Sequence, residues 1–266
     1  MSASDTVSDL ERERREAERA LREKEQYNDG IDRVAYNRVL AHTSHYYNTK
    51  RKTLLRSLFA PRAEGKFLEL GSSVWEPWLE EIQVYPKDLT CINISEAELQ
   101  LGIDAAVKTV NQPKFVIMDA NRLEFEDNTF DVVYGAAILH HLDYERSLKE
   151  IQRVLKPGGI MVFREPLDMN PVGRIVRALT PAQRTVDERP LRMRELQVVK
   201  DLFNPTFHYE EFLSVPLGVI SKMLFSKVEN PLTRSAFALD EGVVSVLPPV
   251  GVMYRHVVIE AAKRAA

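Results

Sequence analysis

Short apolar runs recur between residues 67 and 166, and each has a polar residue or a glycine at or near its end. They are Phe67-Leu-Glu-Leu-Gly71, Leu89-Thr-Cys-Ile-Asn-Ile-Ser95, Phe115-Val-Ile-Met-Asp-Ala120, Phe130-Asp-Val-Val-Tyr-Gly135 and Ile160-Met-Val-Phe-Arg-Glu165. Runs this apolar, without polar alternation, are strands buried on both faces of a parallel sheet. The pattern predicts strands over 66–70, 89–94, 114–118, 131–135 and 160–165. Between them the period changes to that of helices. One is predicted over 74–82, with Trp75, Trp78 and Leu79. Another covers 144–155, with Leu148, Ile151 and Leu155 on one stripe, and Lys156-Pro-Gly-Gly159 stops it. Ser95 stands three residues before Glu98, a capping box for the helix between them. Strands alternating with helices give an α/β fold, and in an open parallel sheet ligands bind outside the carboxyl ends of the strands.

The flanks are helical. Residues 1–27 are charged, with few apolar positions, and read as an exposed helix or a disordered segment. Residues 28–64 become amphipathic, with Val34, Val39, Leu40, Leu54, Leu55 and Leu58, and form a helical cap. Residues 65–266 then make one domain with cap insertions at about 167–204 and 218–242. A sixth strand is predicted over 207–215. Pro248 to Gly251 leads into a last strand over 254–262.

Composition narrows the function. The chain has 266 residues and a net charge of −3, with no excess of positive charge to attract a phosphate backbone, so nucleic acid is excluded as the expected partner. No apolar run is long enough to span a membrane. The single cysteine, Cys91, forms no internal disulfide, and no apolar leader opens the chain, so a cytoplasmic setting is expected. No cluster of Cys, His and acids has metal-ligand spacing. The oligomeric state does not follow from these features.

The ordered series from Phe67 to Pro166 resembles the class I S-adenosylmethionine-dependent methyltransferases, closest to their small-molecule branch with the quinone-pathway C-methyltransferases. The resemblance is good over about 65–167 and looser to Ala266. It implies a Rossmann-like, doubly wound sheet of seven mostly parallel strands with an antiparallel last strand, N-terminal helices and a helical cap. It implies S-adenosylmethionine as cofactor and a small-molecule acceptor with an O, N or C nucleophile, in secondary metabolism or quinone-type biosynthesis.

Carried over residue by residue, the resemblance places cofactor binding at Glu69, Gly71 and Ser73 after the first strand. Asn93 and Ile94 follow the second, Asp119 and Ala120 the third, and Ala136 and Ala137 the fourth. Tyr46, in the helical segment that folds over the cofactor mouth, lines that mouth or packs in the core. Two departures stand out. Ser73 and Trp75 occupy the second and third glycine positions of the family's loop, and Asn93 replaces the acid that holds the ribose. An uncharged asparagine makes a hydrogen bond roughly half as strong as a carboxylate does. Near the transferred methyl group stand His140 and His141, with His141 the first choice for a base and His140 the second, since histidine takes a proton near pH 7. Asp131 reads as structural.

The basic insertion, with Arg174, Arg177, Arg184, Arg189, Arg192, Arg194 and Lys200, has two readings. It is a solvated lid surface, or its arginines recognise an anionic substrate. Two rival functions also stay open. A nicotinamide-dependent oxidoreductase wants Gly-x-Gly-x-x-Gly and an acid after the second strand, and both are missing here. A protein that binds S-adenosylmethionine without transferring its methyl group fits the eroded glycine loop.

Overall fold

Seven strands form one sheet: β1 (Lys66–Leu70), β2 (Asp88–Asn93), β3 (Lys114–Ile117), β4 (Phe130–Ala136), β5 (Leu155–Pro166), β6 (Asn204–Glu210) and β7 (His256–Ala262). Their spatial order is β3-β2-β1-β4-β5-β7-β6. β1 to β5 pair in parallel, and β7 enters antiparallel between β5 and β6. This is the doubly wound, mostly parallel sheet that the sequence implies, with the chain order reversing at β1/β4. The computed structural model describes residues 34–71, 76–107, 109–171 and 189–264, together with Arg14, Glu18, Leu21, Arg22 and Arg174; at 34–40 and 76–78 only the backbone is described.

The helices are α1 (Val34–Phe59), α2 (Glu76–Glu81), α3 (Glu96–Ala106), α4 (Tyr144–Val154), α5 (Met193–Leu202), α6 (Ser214–Leu224) and α7 (Pro231–Val246). Strand alternation sorts the core into two layers. Leu68, Leu70, Val133, Met161, Phe163, Val257 and Ile259 pack against Leu148, Ile151 and Val154 of α4 and Leu196 and Val199 of α5. On the opposite face Phe67, Cys91, Val132, Tyr134, Val162 and Val258 meet Leu55 and Phe59 of α1 and Leu79 of α2.

Several boundaries differ from the sequence reading. β6 ends at Glu210 rather than 215, because Glu211 turns the chain with φ +69° and α6 begins at Ser214. The expected cap helix over 218–242 is two helices, broken at 225–230, where Asn230 caps α7 by accepting from Leu232 and Thr233 N–H. Lys156-Pro-Gly-Gly159 does stop α4, but inside β5, which starts at Leu155 and absorbs the turn as an irregularity opposite Phe130 and Val132. Pro248 to Met253 is a 3₁₀ turn before β7. At Ser95 the side chain caps α3 by accepting from Glu98 N–H, but the Ser95 N–H donates to Asn93 Oδ1.

α1, α6 and α7 are locked together by buried polar contacts. Asp240 of α7 is fully buried and accepts from Phe212, Leu213 and Ser214 N–H. It thus supplies the acceptor for α6's first turn, which has no capping side chain of its own. Tyr47 Oη of α1 donates to the same carboxylate at 3.2 Å. At the crossing of α1 and α6, a Cβ on Gly218 would stand 2.4 Å from Thr43 Oγ1, so only glycine permits that approach.

Candidate functional site

The parallel register sets Leu70 beside Ile92 and Gly135, and Gly135 beside Phe163. One residue further on, Gly71, Asn93, Ala136 and Arg164 therefore share one rim at the carboxyl ends of the central strands. Gly71 adopts φ +69°, and a Cβ there would lie 2.8 Å from Ile138 Cδ1. Any other residue would be strained by its backbone and would strike the loop that follows β4. Ser73 and Trp75 lie outside the described residues. Glu69, one step below the rim, is buried; its carboxylate accepts from Tyr134 Oη at 2.8 Å and lies 3.6 Å from Cys91 Sγ. Asp131 is at the opposite end of β4, where Oδ2 accepts from Lys66 N–H and Lys156 Nζ.

Asn93 is half-buried, and its Oδ1 accepts from Ser95 N–H at 2.9 Å. That bond fixes the turn through the half-buried Ile94 into α3. After β3, Asp119 Oδ1 accepts from both Asn121 N–H (2.8 Å) and Asn121 Nδ2 (2.9 Å), while Oδ2 has no partner among the described residues. Ala120 is buried. Asn121 Oδ1 accepts in turn from Asp143 N–H at 2.8 Å, and Asp143 caps α4 by accepting from Arg146 N–H. The loops after β3 and β4 are thus joined through one side chain.

The loop after β4 is shaped by an acid from β5. Ala137 is exposed and holds φ +55°, a conformation that costs a non-glycine residue of order 1–3 kcal/mol. Glu165, fully buried, accepts from Ile138 N–H (3.0 Å) and Leu139 N–H (2.9 Å) through Oε1. Its Oε2 lies 2.7 Å from His140 Nδ1. A carboxylate only accepts, so this bond assigns the ring proton to Nδ1. His140 is buried and His141 half-buried, with ring centroids 4.1 Å apart. Tyr144 Oη, buried at the start of α4, has no hydrogen-bond partner among the described residues. Burial, with the Glu165 and Glu195 carboxylates nearby, holds its phenol well above the ordinary range.

Beside this rim lies a buried charge cluster. Arg164 Nε donates to Glu210 Oε2 at 2.9 Å, and Arg51 of α1 reaches the same oxygen at 2.6 Å. Arg255 donates to Glu211 Oε2 at 2.6 Å, and Ser44 to Oε1 at 2.6 Å. Burial opposes the Glu211 charge, but the Arg255 and Arg164 guanidiniums and the hydrogen bond with His256 outweigh it and hold this carboxyl well below its usual range. His256 is pushed well below the ordinary histidine value by burial and by Arg164 and Arg255. It is therefore neutral, and its Nδ1 lies 3.0 Å from Arg164 Nη2 and 3.2 Å from Glu211 Oε2. The cluster straps α1 to the ends of β5, β6 and β7.

Tyr46 stands apart from the rim residues in its described contacts. Its ring stacks on Phe237 of α7, with centroids 5.6 Å apart, and Arg234 Nε reaches its hydroxyl at 3.5 Å. Tyr47 is fully buried. Of the basic insertion, Arg192 is exposed and pairs with Asp168 at 2.9 Å. Arg189 contributes its N–H to the His140 carbonyl. Arg177 and Arg184 lie outside the described residues. Among the described residues, no group of His, Cys, Asp and Glu is arranged to hold a metal ion, and no helix is long and apolar enough to cross a membrane.

Sequence reasoning passed over Glu165, Asn121 and Tyr144. Glu165 had a usable signal: an acid ending an otherwise apolar strand, at the rim where ligands bind. Asn121 and Tyr144 carried none, because their importance lies in partners distant along the chain.

The methyltransferase domain family matches residues 68–163. A demethylmenaquinone methyltransferase of Staphylococcus saprophyticus subsp. saprophyticus is 30% identical over 150 residues, covering 53% of this chain and 63% of that protein. A sterol 4-C-methyltransferase of Caenorhabditis elegans is 32% identical over 106 residues, covering 39% of this chain and 31% of its own length. The chain thus spans less than two thirds of the length of these relatives. Geranyl diphosphate C-methyltransferase from Streptomyces coelicolor A3(2), solved with Mg2+, geranyl diphosphate and S-adenosyl-L-homocysteine, superposes with a TM-score of 0.57 at 14% identity, over 82% of this chain and 80% of that one. The [4+2]-cyclase SpnF superposes with a TM-score of 0.52 at 19% identity, over 80% of each chain. The matched stretch runs from β1 into β5 of the sheet ordered 3-2-1-4-5-7-6, and over it the chain is similar to the methyltransferase domain family.

Proposed function

We propose that this protein binds S-adenosylmethionine at the rim of β1 to β4 and transfers its methyl group to a small-molecule acceptor. One observation carries the reading. Gly71, Asn93, Asp119 and the 136–141 loop, which come from four separate strand ends, converge on the rim at the topological switch point. The residues present suit the cofactor. The exposed Ala137 leaves backbone open to a ligand, and Asp119 Oδ2 is an acceptor with no partner among the described residues. In this reading Glu69, Gly71 and Ser73 hold the methionine portion. Asn93 and Ile94 take the ribose, and Asp119 and Ala120 the adenine. Ala136 and Ala137 lie against the sulfonium side, and Tyr46 closes the mouth from α1.

S-adenosylmethionine supplies an electrophilic methyl group when bound. The chain's own task is to align a nucleophile, keep out water and remove a proton where the acceptor carries one. His141, half-buried beside the rim, is the proposed base. His140 is the positioning residue, because Glu165 fixes its ring and the loop that carries both histidines. α1, α6 and α7 form the cap, strapped to the strand ends through Ser44, Arg51 and Arg164. The acceptor class follows the relatives, whose names point to a quinone precursor and a sterol. A largely apolar acceptor agrees with Arg192, which is exposed and paired with Asp168. The proposed setting is the cytoplasm, in keeping with a single cysteine.

Isothermal titration with S-adenosylmethionine, followed by transfer of a labelled methyl group to candidate acceptors, tests this. Metabolite profiling of cells with and without the protein, read for mass differences of one methyl group, finds the acceptor. Since the same fold also carries a [4+2]-cyclase, turnover has to be measured separately from binding. Tight cofactor binding without methyl transfer favours the non-transferring alternative, and absence of cofactor binding removes the reading.

A further inference from the structure

α6 is amphipathic in the reverse sense. Its inner face is Ser214, Val215, Gly218 and Ser221, and beside the apolar Val215 the three small residues are each pinned. Ser214 N–H donates to Asp240, and Gly218 lies against Thr43. Ser221 Oγ accepts from Asn230 Nδ2 at 2.8 Å and stands 2.9 Å from His42 Nδ1. With that face fixed inward, Val219, Ile220, Met223 and Leu224 point outward at positions three and four residues apart. Met223 is 81% exposed and Leu224 69%, and Phe225 continues the patch beyond the helix end. A surface helix of a globular protein ordinarily shows the opposite arrangement, so an outward apolar stripe needs an occupant.

The charges around the stripe say which. Lys222 and Lys227 are both exposed, and neither forms an ion pair among the described residues. The only acid between Ser214 and Asn230 is Glu229, and Arg234 pairs with it at 3.4 Å. In a two-fold contact between copies, each copy would set its own Lys222 and Lys227 against those of the other with no acid between them, because an isologous interface pairs the same patch with itself. An apolar stripe edged by unpaired lysines matches a lipid surface, where the side chains enter the acyl boundary and the ammonium groups meet anionic headgroups. We propose that the outward face of α6, with Phe225, docks this protein on the surface of an anionic lipid bilayer.

The test is co-sedimentation of the full chain with vesicles of phosphatidylcholine alone and of equal parts phosphatidylcholine and phosphatidylglycerol. The expected result is binding to the mixed vesicles that weakens with added salt. The double variant Met223→Glu with Leu224→Glu should lose that binding by tenfold or more. The double variant Lys222→Gln with Lys227→Gln should lose about thirtyfold on the mixed vesicles, as two surface lysines would provide. All four substitutions fall on exposed side chains, and thermal melts check that the fold is kept. Phe225→Trp adds a local readout, a blue shift of its emission on mixed vesicles. Failure of the unchanged protein to sediment overturns the proposal, as does equal binding by the glutamate variant. A dimer in sedimentation velocity that the glutamate variant abolishes would assign the face to a second copy and also overturn it. The readouts are vesicle binding, folding and oligomeric state, so the result stands apart from methyl transfer.

Discussion

Glu165 Oε2 lies 2.7 Å from Nδ1 of His140 in the loop after β4. The same carboxylate accepts from Ile138 and Leu139 N–H, so one buried acid sets both the backbone path and the ring orientation. Glu165→Ala would leave these donors buried without an acceptor. Loss of one partner of a buried charged contact costs about 3–5 kcal/mol. At roughly 2–4 °C per kcal/mol for a chain of this size class, calorimetry should show a fall of about 6–20 °C. Glu165→Gln, which keeps one acceptor oxygen, should recover part of it. A melting temperature unchanged by Glu165→Ala would mean that the loop is shaped by something else.

His141 and His140 should separate by readout. His141→Ala is expected to lower kcat about 10²–10⁴-fold, the range for loss of a general base, and to leave the cofactor dissociation constant nearly unchanged. His140→Ala should lower stability together with kcat, because its ring is part of the Glu165 network. Steady-state kinetics with calorimetric titration checks this. Full turnover in both variants would leave an acceptor that needs no protein base.

Asp119 and Asn93 should act on cofactor affinity in opposite directions. Asp119→Ala should weaken S-adenosylmethionine binding by about 1.5–3 kcal/mol, the value of a hydrogen bond to a charged group. Asn93→Asp should hold or strengthen it. The aspartate keeps the oxygen that accepts from Ser95 N–H and brings a charged acceptor to the rim. Titration calorimetry reads both, and a collapse of affinity in Asn93→Asp would show that the Asn93 amide donates to the ligand.

Gly71→Ala should be destabilising by about 1–2 kcal/mol from backbone conformation alone, with a further cost as Ile138 yields. Chemical denaturation should show a lower midpoint with an unchanged slope. A wild-type midpoint would mean that the turn relaxes freely.

Acid should destabilise the protein in two stages. His256 and His42 are held below the ordinary histidine value, the first by burial with Arg164 and Arg255, the second by burial with Lys222 and His45. The unfolded chain therefore binds more protons than the folded one once pH drops below about 6.5, and stability falls with it. Glu211, held low, adds a second loss below about 4.5, where its unfolded form is protonated. Melting temperature against pH should show a first decline between about 7 and 5 and a steeper one below. The first decline should be smaller in His256→Gln. A flat profile down to pH 5 would contradict the neutral state of these two histidines.

The sheet was legible because burial on both faces leaves a continuous apolar signature at each of β1 to β5, and rim residues follow from where those signatures stop. The end of β6 was not, because Glu211 turns the chain in a conformation that its residue type does not advertise. The split of the cap into α6 and α7 had a signal that was passed over, Asn230 followed by Pro231 at the first position of α7. At the rim, sequence pointed to Gly71, Asn93, Asp119 and the two histidines through position along the chain. It missed Glu165, whose partners lie 25 to 27 residues away and become neighbours only when β5 pairs with β4.

Asn121 joins two loops, with Asp119 on one flank and the start of α4 on the other. The two loops therefore do not report independent energies. Substitutions at Asp119 and Asp143 should combine non-additively in a double-mutant cycle, with an interaction term of about 0.5–3 kcal/mol that vanishes when Asn121 is replaced by Ala.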